Sequence, residues 1–395
     1  ESELMERRLE FARVYAESAA AYELTFDFAT AAVDYDRAFA EASRWDDALA
    51  WEYHRKALLA KYRHGDYRGD PTVLEAIVAD RDRTLRLADR LPSPLTHAEA
   101  LLQIGNAENV LGQQRSDVPL LERALASALP SLGTADADAA RLDQAIAIHR
   151  ELVAAAPFEV DTKEWMVARL NLAAALSERG SRSGDTAIMR EARPLLSETA
   201  ARVPPETEPI SWAMTTFNLA GTMLFVGERE GNPRMLADSV KTSEEALKIL
   251  GRDAFPLFWA SIHNNIGNAY QNLGFGMDDV TFYAAAEYEY RDALEEWRRD
   301  RVPDDWAKAT NNLANVLKKL GEKHGDPARL EEAIGLYRDA AEVWTRAANP
   351  LNWASLQNNM GDALVILGTK RRDAAMLQEA GTAFDLTLEE WTHER

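Results

Sequence analysis

Asparagine returns at Asn171, Asn218, Asn265, Asn312 and Asn359, a step of 47 residues each time. The amide competes with the backbone for hydrogen bonds and is a poor resident of a helix interior, so a phased series of them has a purpose. Two purposes fit. Each amide ties its own element to a neighbour, or the series is a ladder of donors and acceptors for the backbone of an extended or helical peptide. Asn264, Asn268, Asn311 and Asn315 stand beside the ladder, Ser261 adds a hydroxyl, and Lys308 and Lys319 add positive charge. Met214, Phe217 and Phe225 supply apolar surface of the kind that anchors a partner side chain or packs on the next element.

Chemistry of other kinds finds little support. The seven histidines are scattered and share no metal-ligand spacing on one helix face, and there is no cysteine to make a thiolate site or a disulfide. His97 occupies a position held elsewhere by tryptophan, which points to packing. No nucleophile elbow, phosphate-binding loop or zinc-protease motif is present. Gly274-Phe-Gly276 is only a weak likeness of a nucleotide loop. The expectation is a protein without catalytic residues, metal or cofactor.

The elements that hold these side chains follow from the same 47-residue step. Trp165, Trp212, Trp259, Trp306 and Trp353 keep it, and Trp297, Trp344 and Trp391 keep it in a second phase. Such a period marks a repeat array. Fifteen residues after the tryptophan position come Gly65, Gly112, Gly180, Gly227, Gly274, Gly321 and Gly368, and five further on an Asp or Asn such as Asp326. Glycine closes a helix by adopting positive φ, and the Asp or Asn caps the next helix. One unit therefore reads as a first helix from Trp306 to Leu320, a loop of Gly321 to Gly325, a cap at Asp326, and a second helix from Pro327 to about Arg346. Leu330, Ile334, Tyr337, Ala341 and Trp344 recur at helical spacing, and no stretch alternates as a strand does. The fold class expected is all-α.

Asn264-Asn-Ile-Gly-Asn-Ala-Tyr270, Asn311-Asn-Leu-Ala-Asn-Val-Leu317 and Asn358-Asn-Met-Gly-Asp-Ala-Leu364, with the small–aromatic–small spacing of Ala333, Tyr337 and Ala340, resemble the tetratricopeptide repeat. The resemblance covers roughly residues 46–395, although this period is longer than the family's usual one. It implies a right-handed α-solenoid of stacked antiparallel helix pairs, with first helices lining a concave groove. It places Met214, Phe217, Asn218, Phe225, Ser261, Asn264, Asn265, Asn268, Lys308, Asn311, Asn312, Asn315 and Lys319 on that groove. Related arrays grip a C-terminal carboxylate with Lys and Asn. Lys308, Asn265 and Asn312 match that arrangement in part, and Ser355 stands where a further basic residue would.

Seven units are countable from Ala50, with one slip of 21 residues between His97 and Trp165, so an additional helix is expected near 118–133. Residues 1–45 carry two helical patterns without the repeat's marks, as a terminal cap does. Residues 46–395 are expected to form one continuous array.

The formal net charge of −20 disfavours nucleic acid and anionic membrane surfaces as partners. Local basic residues inside an acidic chain favour an acidic segment of a protein or peptide, over a Debye length of about 8 Å. The function expected is a non-catalytic interaction scaffold or adaptor. A regulatory or sensor array of a larger signalling protein and a small-molecule carrier are the alternatives. A homo-oligomer through the C-terminal end is a second partner expectation, and the cytoplasm is the expected compartment, with export as the alternative.

Overall fold

The computed structural model describes residues 2–91, 94–115 and 162–391, with eight further positions between 142 and 154. Every regular element among them is a helix. The additional helix expected near 118–133 lies outside the described residues. Two compact units form, Glu1–Leu132 with Asp253–Leu257 and Gly133–Arg252 with Phe258–Arg395.

Unit 1 contains α1 (Ser2–Leu24), α2 (Phe28–Ala42), α3 (Asp47–Arg68), α4 (Pro71–Ala79), α5 (Arg81–Ala88) and α6 (Pro94–Arg115). Across residues 45/46 the first helix pair packs on the next element, since Ala12 of α1, Phe39 and Ala42 of α2 and Tyr53 of α3 share one buried cluster. His54 of α3 is buried and its Nε2 lies 2.9 Å from Thr84 Oγ1 of α5.

Unit 2 contains α7 (Thr162–Ser183), α8 (Thr186–Arg202), α9 (Pro209–Arg229), α10 (Pro233–Leu247), α12 (Val280–Glu296), α13 (Pro303–His324), α14 (Pro327–Ala341), α15 (Pro350–Arg371) and α16 (Ala374–Trp391). Its α11 (Pro256–Met277) belongs to it from Phe258 onward. Long first helices alternate with shorter second helices, and each pair stacks on the next in an α-solenoid arrangement. One apolar core runs from Tyr283 and Tyr290 through Leu313 and Leu317 to Leu364 and Leu367.

Helix bounds differ from the sequence expectation at three points. First helices begin at the proline three residues before the tryptophan, as at Pro303, where φ is already helical and no N–H is wasted. Second, Gly321 does not close its helix. Helix α13 continues to His324, and the residue with left-handed φ is Gly325, at +64°. Gly321 serves two other purposes. Its carbonyl accepts the N–H of Asp326 at 2.9 Å, the long bond of a Schellman ending. A Cβ on it would also lie 2.9 Å from Leu330 Cγ, so the missing side chain lets the two helices of a pair close on each other. The same carbonyl bond recurs from Asn232 to Gly227 at 2.8 Å and from Asp373 to Gly368 at 2.8 Å. Third, α14 ends at Ala341, short of Arg346. Trp344 therefore sits in the turn that follows and donates Nε1–H to Asp304 Oδ1 at 3.2 Å, pinning the start of α13.

Within unit 2, successive helix pairs are also latched along one edge. Arg252, Arg299 and Arg346, 47 residues apart, lie over the rings of Trp259, Trp306 and Trp353 at 5.1, 5.8 and 5.3 Å. The same arginines reach forward to Glu296, Glu342 and Glu390 at 2.7, 2.6 and 2.7 Å. The tryptophan period thus has a physical basis in an arginine sandwiched between an aromatic face and the carboxylate of the following second helix.

Candidate functional site

The first helices of unit 2 carry the site residues expected from the sequence, and the structure separates them into two groups. One group braces helices. Tyr290, fully buried on α12, donates its hydroxyl to Asn268 Oδ1 at 2.7 Å and lies 3.0 Å from Gln271 Oε1. Tyr337 on α14 repeats the bond to Asn315 Oδ1 at 2.6 Å. Burial holds both phenols well above their ordinary pKa, so they stay neutral donors. Asn312 then donates to Asn264 Oδ1 and Asn268 Oδ1 at 3.3 and 3.1 Å, joining α13 to α11. Asn359 continues the series to Asn311 Oδ1 at 3.5 Å.

The other group faces an opening. A cavity of about 460 Å³ runs from the C-terminal half of α7, across α9 and the middle of α11, to Lys308 near the start of α13. Phe217, Asn218, Phe225, Asn265, Asn268 and Lys308 all line it. Phe217 is half-buried and meets Phe258 edge-on, with ring centres 6.2 Å apart. Phe225 is covered on one face by the Arg229 guanidinium at 5.2 Å. The side-chain amides of Asn218 and Asn265 have no hydrogen-bond partner in the protein, and Lys308 is exposed without an ion pair. At the opposite end Glu178 pairs with Arg182, whereas Glu228 is exposed and makes no ion pair. A cation, two amides without a protein partner, two aromatic rings and a carboxylate outside any ion pair therefore line one cavity.

The residues expected on the groove from Met214 to Lys319 do not all line the same cavity. Asn315 and Lys319 line a second cavity of about 790 Å³ with Phe275, Lys318, Asp362 and Phe384. Its charges are largely spent, since Lys319 bonds Glu322 at 2.9 Å and Lys318 pairs with Asp362 at 3.2 Å. The Glu322 hydrogen bond raises the Lys319 pKa, which keeps that pair ionic. Met214, Ser261, Asn264, Asn311 and Asn312 line neither cavity. Asn264 is buried, and Asn312 is occupied by its two acceptors.

No known protein family matches the chain, and no curated protein matches it. Among solved structures it is similar to BtubC (BKLC) from P. vanneervenii, 18% identical over 64% of this chain and 91% of that one, with a TM-score of 0.38. It is also similar to a circular tandem repeat protein with novel repeat topology and enhanced subunit contact surfaces. That protein is 17% identical, over 98% of this chain and 95% of its own, with a TM-score of 0.29. Likenesses this distant carry no argument about the site, which rests on its own residues.

Several lining residues escape a reading of the first-helix positions. Ala174 and Gly221 stand where Asn268 and Asn315 stand in later units, and Leu196 reaches the cavity from α8, a second helix. The signal was present in the repeat columns. Leu196 and Ser243 occupy the column that holds Tyr290 and Tyr337.

Among the described residues no helix is long and apolar enough to cross a membrane, and no cluster of His, Asp or Glu has the arrangement of a metal site.

Proposed function

We propose that this chain is a non-catalytic protein-interaction scaffold built from tetratricopeptide-like repeats. It holds a peptide or partner segment along the first-helix face of unit 2, in the cavity between α7 and α13. One observation carries the reading: Asn218 and Asn265 leave their amides without a protein partner beside a free Lys308, whereas Asn268, Asn312 and Asn315 spend theirs on neighbouring helices. Unspent amides on a helical wall suit the backbone of a bound segment, and Lys308 suits an acidic residue in it.

The test is capture of partners by crosslinking and mass spectrometry with the wild type, Phe217→Ala, Asn218→Ala, Lys308→Glu and the second-helix control Asp339→Lys. Loss of one shared partner from the first three, with the control unaffected, supports the reading. Loss only from Asp339→Lys moves the site to the opposite face. A volume of about 460 Å³ also falls in the range of small-ligand sites, which supports a carrier as the second reading. Protection of the cavity by a co-purifying small molecule in native mass spectrometry would favour it.

A further inference from the structure

Beside the cavity of about 460 Å³, consecutive units lack a plug that their neighbours possess. In the units of α11/α12 and α13/α14, a second-helix tyrosine passes between the first helices and ends on a first-helix asparagine, Tyr290 on Asn268 and Tyr337 on Asn315. Counting back 47 residues from the first pair gives Ser243 and Gly221, and counting back once more gives Leu196 and Ala174. Ring and amide are missing from both, and Leu196 lacks the hydroxyl as well. A Cβ at Gly221 would meet nothing closer than Asn265 Nδ2 at 4.0 Å, so that wall is open. Leu196 and Ala174 line the floor and side of the cavity, and Ser243 Oγ is buried without a partner. In the following unit the tyrosine is Phe384 and the asparagine Asp362. There the aromatic still packs against the first helix, where a Cβ on Gly361 would lie 2.7 Å from its Cε1. Among the helix pairs of unit 2, α7/α8 and α9/α10 have lost the aromatic altogether.

We infer that the cavity is a receptor for a tyrosine side chain of a partner segment, which supplies from outside the plug that these units lack. This rests on the reading of the first-helix face as the partner surface. The ring packs on Leu196, Ala174 and Leu224, and the phenol hydroxyl finds its donor and acceptor among the free amides of Asn218 and Asn265. Charge orders the flanks. An acidic residue lies towards Lys308 on α13 and a basic one towards Glu228 on α9, because these two lining charges make no ion pair. Crossing four first helices at about 8–10 Å each is a span of roughly 30 Å, which an extended segment of about eight residues fills.

The probes are fluorescent, end-blocked peptides with a central tyrosine between two aspartates and two lysines, in both charge orders, and the same peptides with alanine for tyrosine. The expected result is saturable anisotropy binding by one charge order of the tyrosine peptide, with a loss of about ten-fold or more for its alanine form. The decisive variant is Ala174→Asn/Leu196→Tyr, which rebuilds the repeat's own plug with the residues its sister unit uses. It should retain helicity and melting temperature while losing the peptide by about ten-fold or more. Gly221→Asn closes the open wall independently and should do the same, so a folding failure of the double variant does not end the test. Lys308→Glu should reverse the preferred charge order. The inference is overturned if neither tyrosine peptide binds below about 1 mM, if the alanine peptide binds equally, or if a folded plug variant binds like the wild type. A partner that depends on Phe217 and Asn218 but needs no tyrosine would leave the surface reading standing and remove this one.

Discussion

Tyr337 donates its hydroxyl to Asn315 at 2.6 Å from a position 22 residues further along the chain, and Tyr290 makes the same bond to Asn268 at the same separation. Asn315 is the acceptor that satisfies the buried Tyr337 hydroxyl, so its carbonyl belongs to the core rather than to a ligand. Asn315→Ala should cost about 1–3 kcal/mol, the price of leaving a buried donor unpaired. Asn218→Ala, whose amide has no protein partner, should stay within about 0.5 kcal/mol of the wild type. Chemical denaturation of both variants checks this, and equal losses would refute the division into bracing and binding asparagines.

The two glycines of one helix pair should respond in opposite ways to the same substitution. A Cβ at Gly321 would lie 2.9 Å from Leu330 Cγ, so Gly321→Ala overpacks the pair and should destabilise by about 1–3 kcal/mol. Gly335 sits inside α14 with open space around its Cα, so Gly335→Ala should stabilise by about 0.5–1 kcal/mol through helix propensity and a less flexible unfolded chain. Melting curves of the two variants distinguish a packing glycine from an idle one. If Gly321→Ala melts no earlier than the wild type, the close approach of α13 and α14 is not a constraint.

Asp326 caps α14 by accepting the N–H of Ala328 at 2.9 Å, while its own N–H closes α13 on Gly321. Asp326→Ala removes the side-chain bond and leaves the backbone one, so the expected cost is about 1 kcal/mol. In a stacked array that loss concentrates in the units beside it. Hydrogen exchange resolved by residue should show faster opening in α13 to α16 than in α7 to α10, and a uniform change would contradict the assignment.

In unit 1, desolvation pushes the pKa of His54 down from 6.5 to about 4. Folding therefore favours the neutral ring, and the unfolded chain binds the proton more readily. The contribution is complete above pH 6.5 and is lost as pH falls from 6.5 to about 4, reaching on the order of 3 kcal/mol. His54→Gln should flatten the acid limb of unit 1 stability in that window, and the His54 ring proton should titrate near pH 4 by NMR. Titration near 6.5 in the folded protein would contradict the buried pairing with Thr84.

Period and class were legible in the residues because tryptophan, glycine and asparagine are each constrained for reasons local to one unit. The 47-residue step, the helix pair and the Asp326 cap need no knowledge of neighbours, and capping is set by the few residues around it. Gly321 was harder to read. A glycine near a helix end serves equally as a left-handed stop or as a close-contact surface, and only the position of Leu330, nine residues on, separates the two. The asparagines posed the same problem across a longer distance. Asn218, Asn265 and Asn312 occupy one repeat column, and the chain alone leaves two roles open for each. Tertiary structure divides them, because whether an amide is spent depends on the residue that the adjacent pair presents: Asn264 and Asn268 stand opposite Asn312, and nothing stands opposite Asn218. The lining of the cavity was decided in the same way, by which first and second helices bring Phe217, Leu196, Asn265 and Lys308 together. Repetition in sequence determines the frame, and vacancies in that frame take shape only when units stack, since a hole is a property of at least two neighbours.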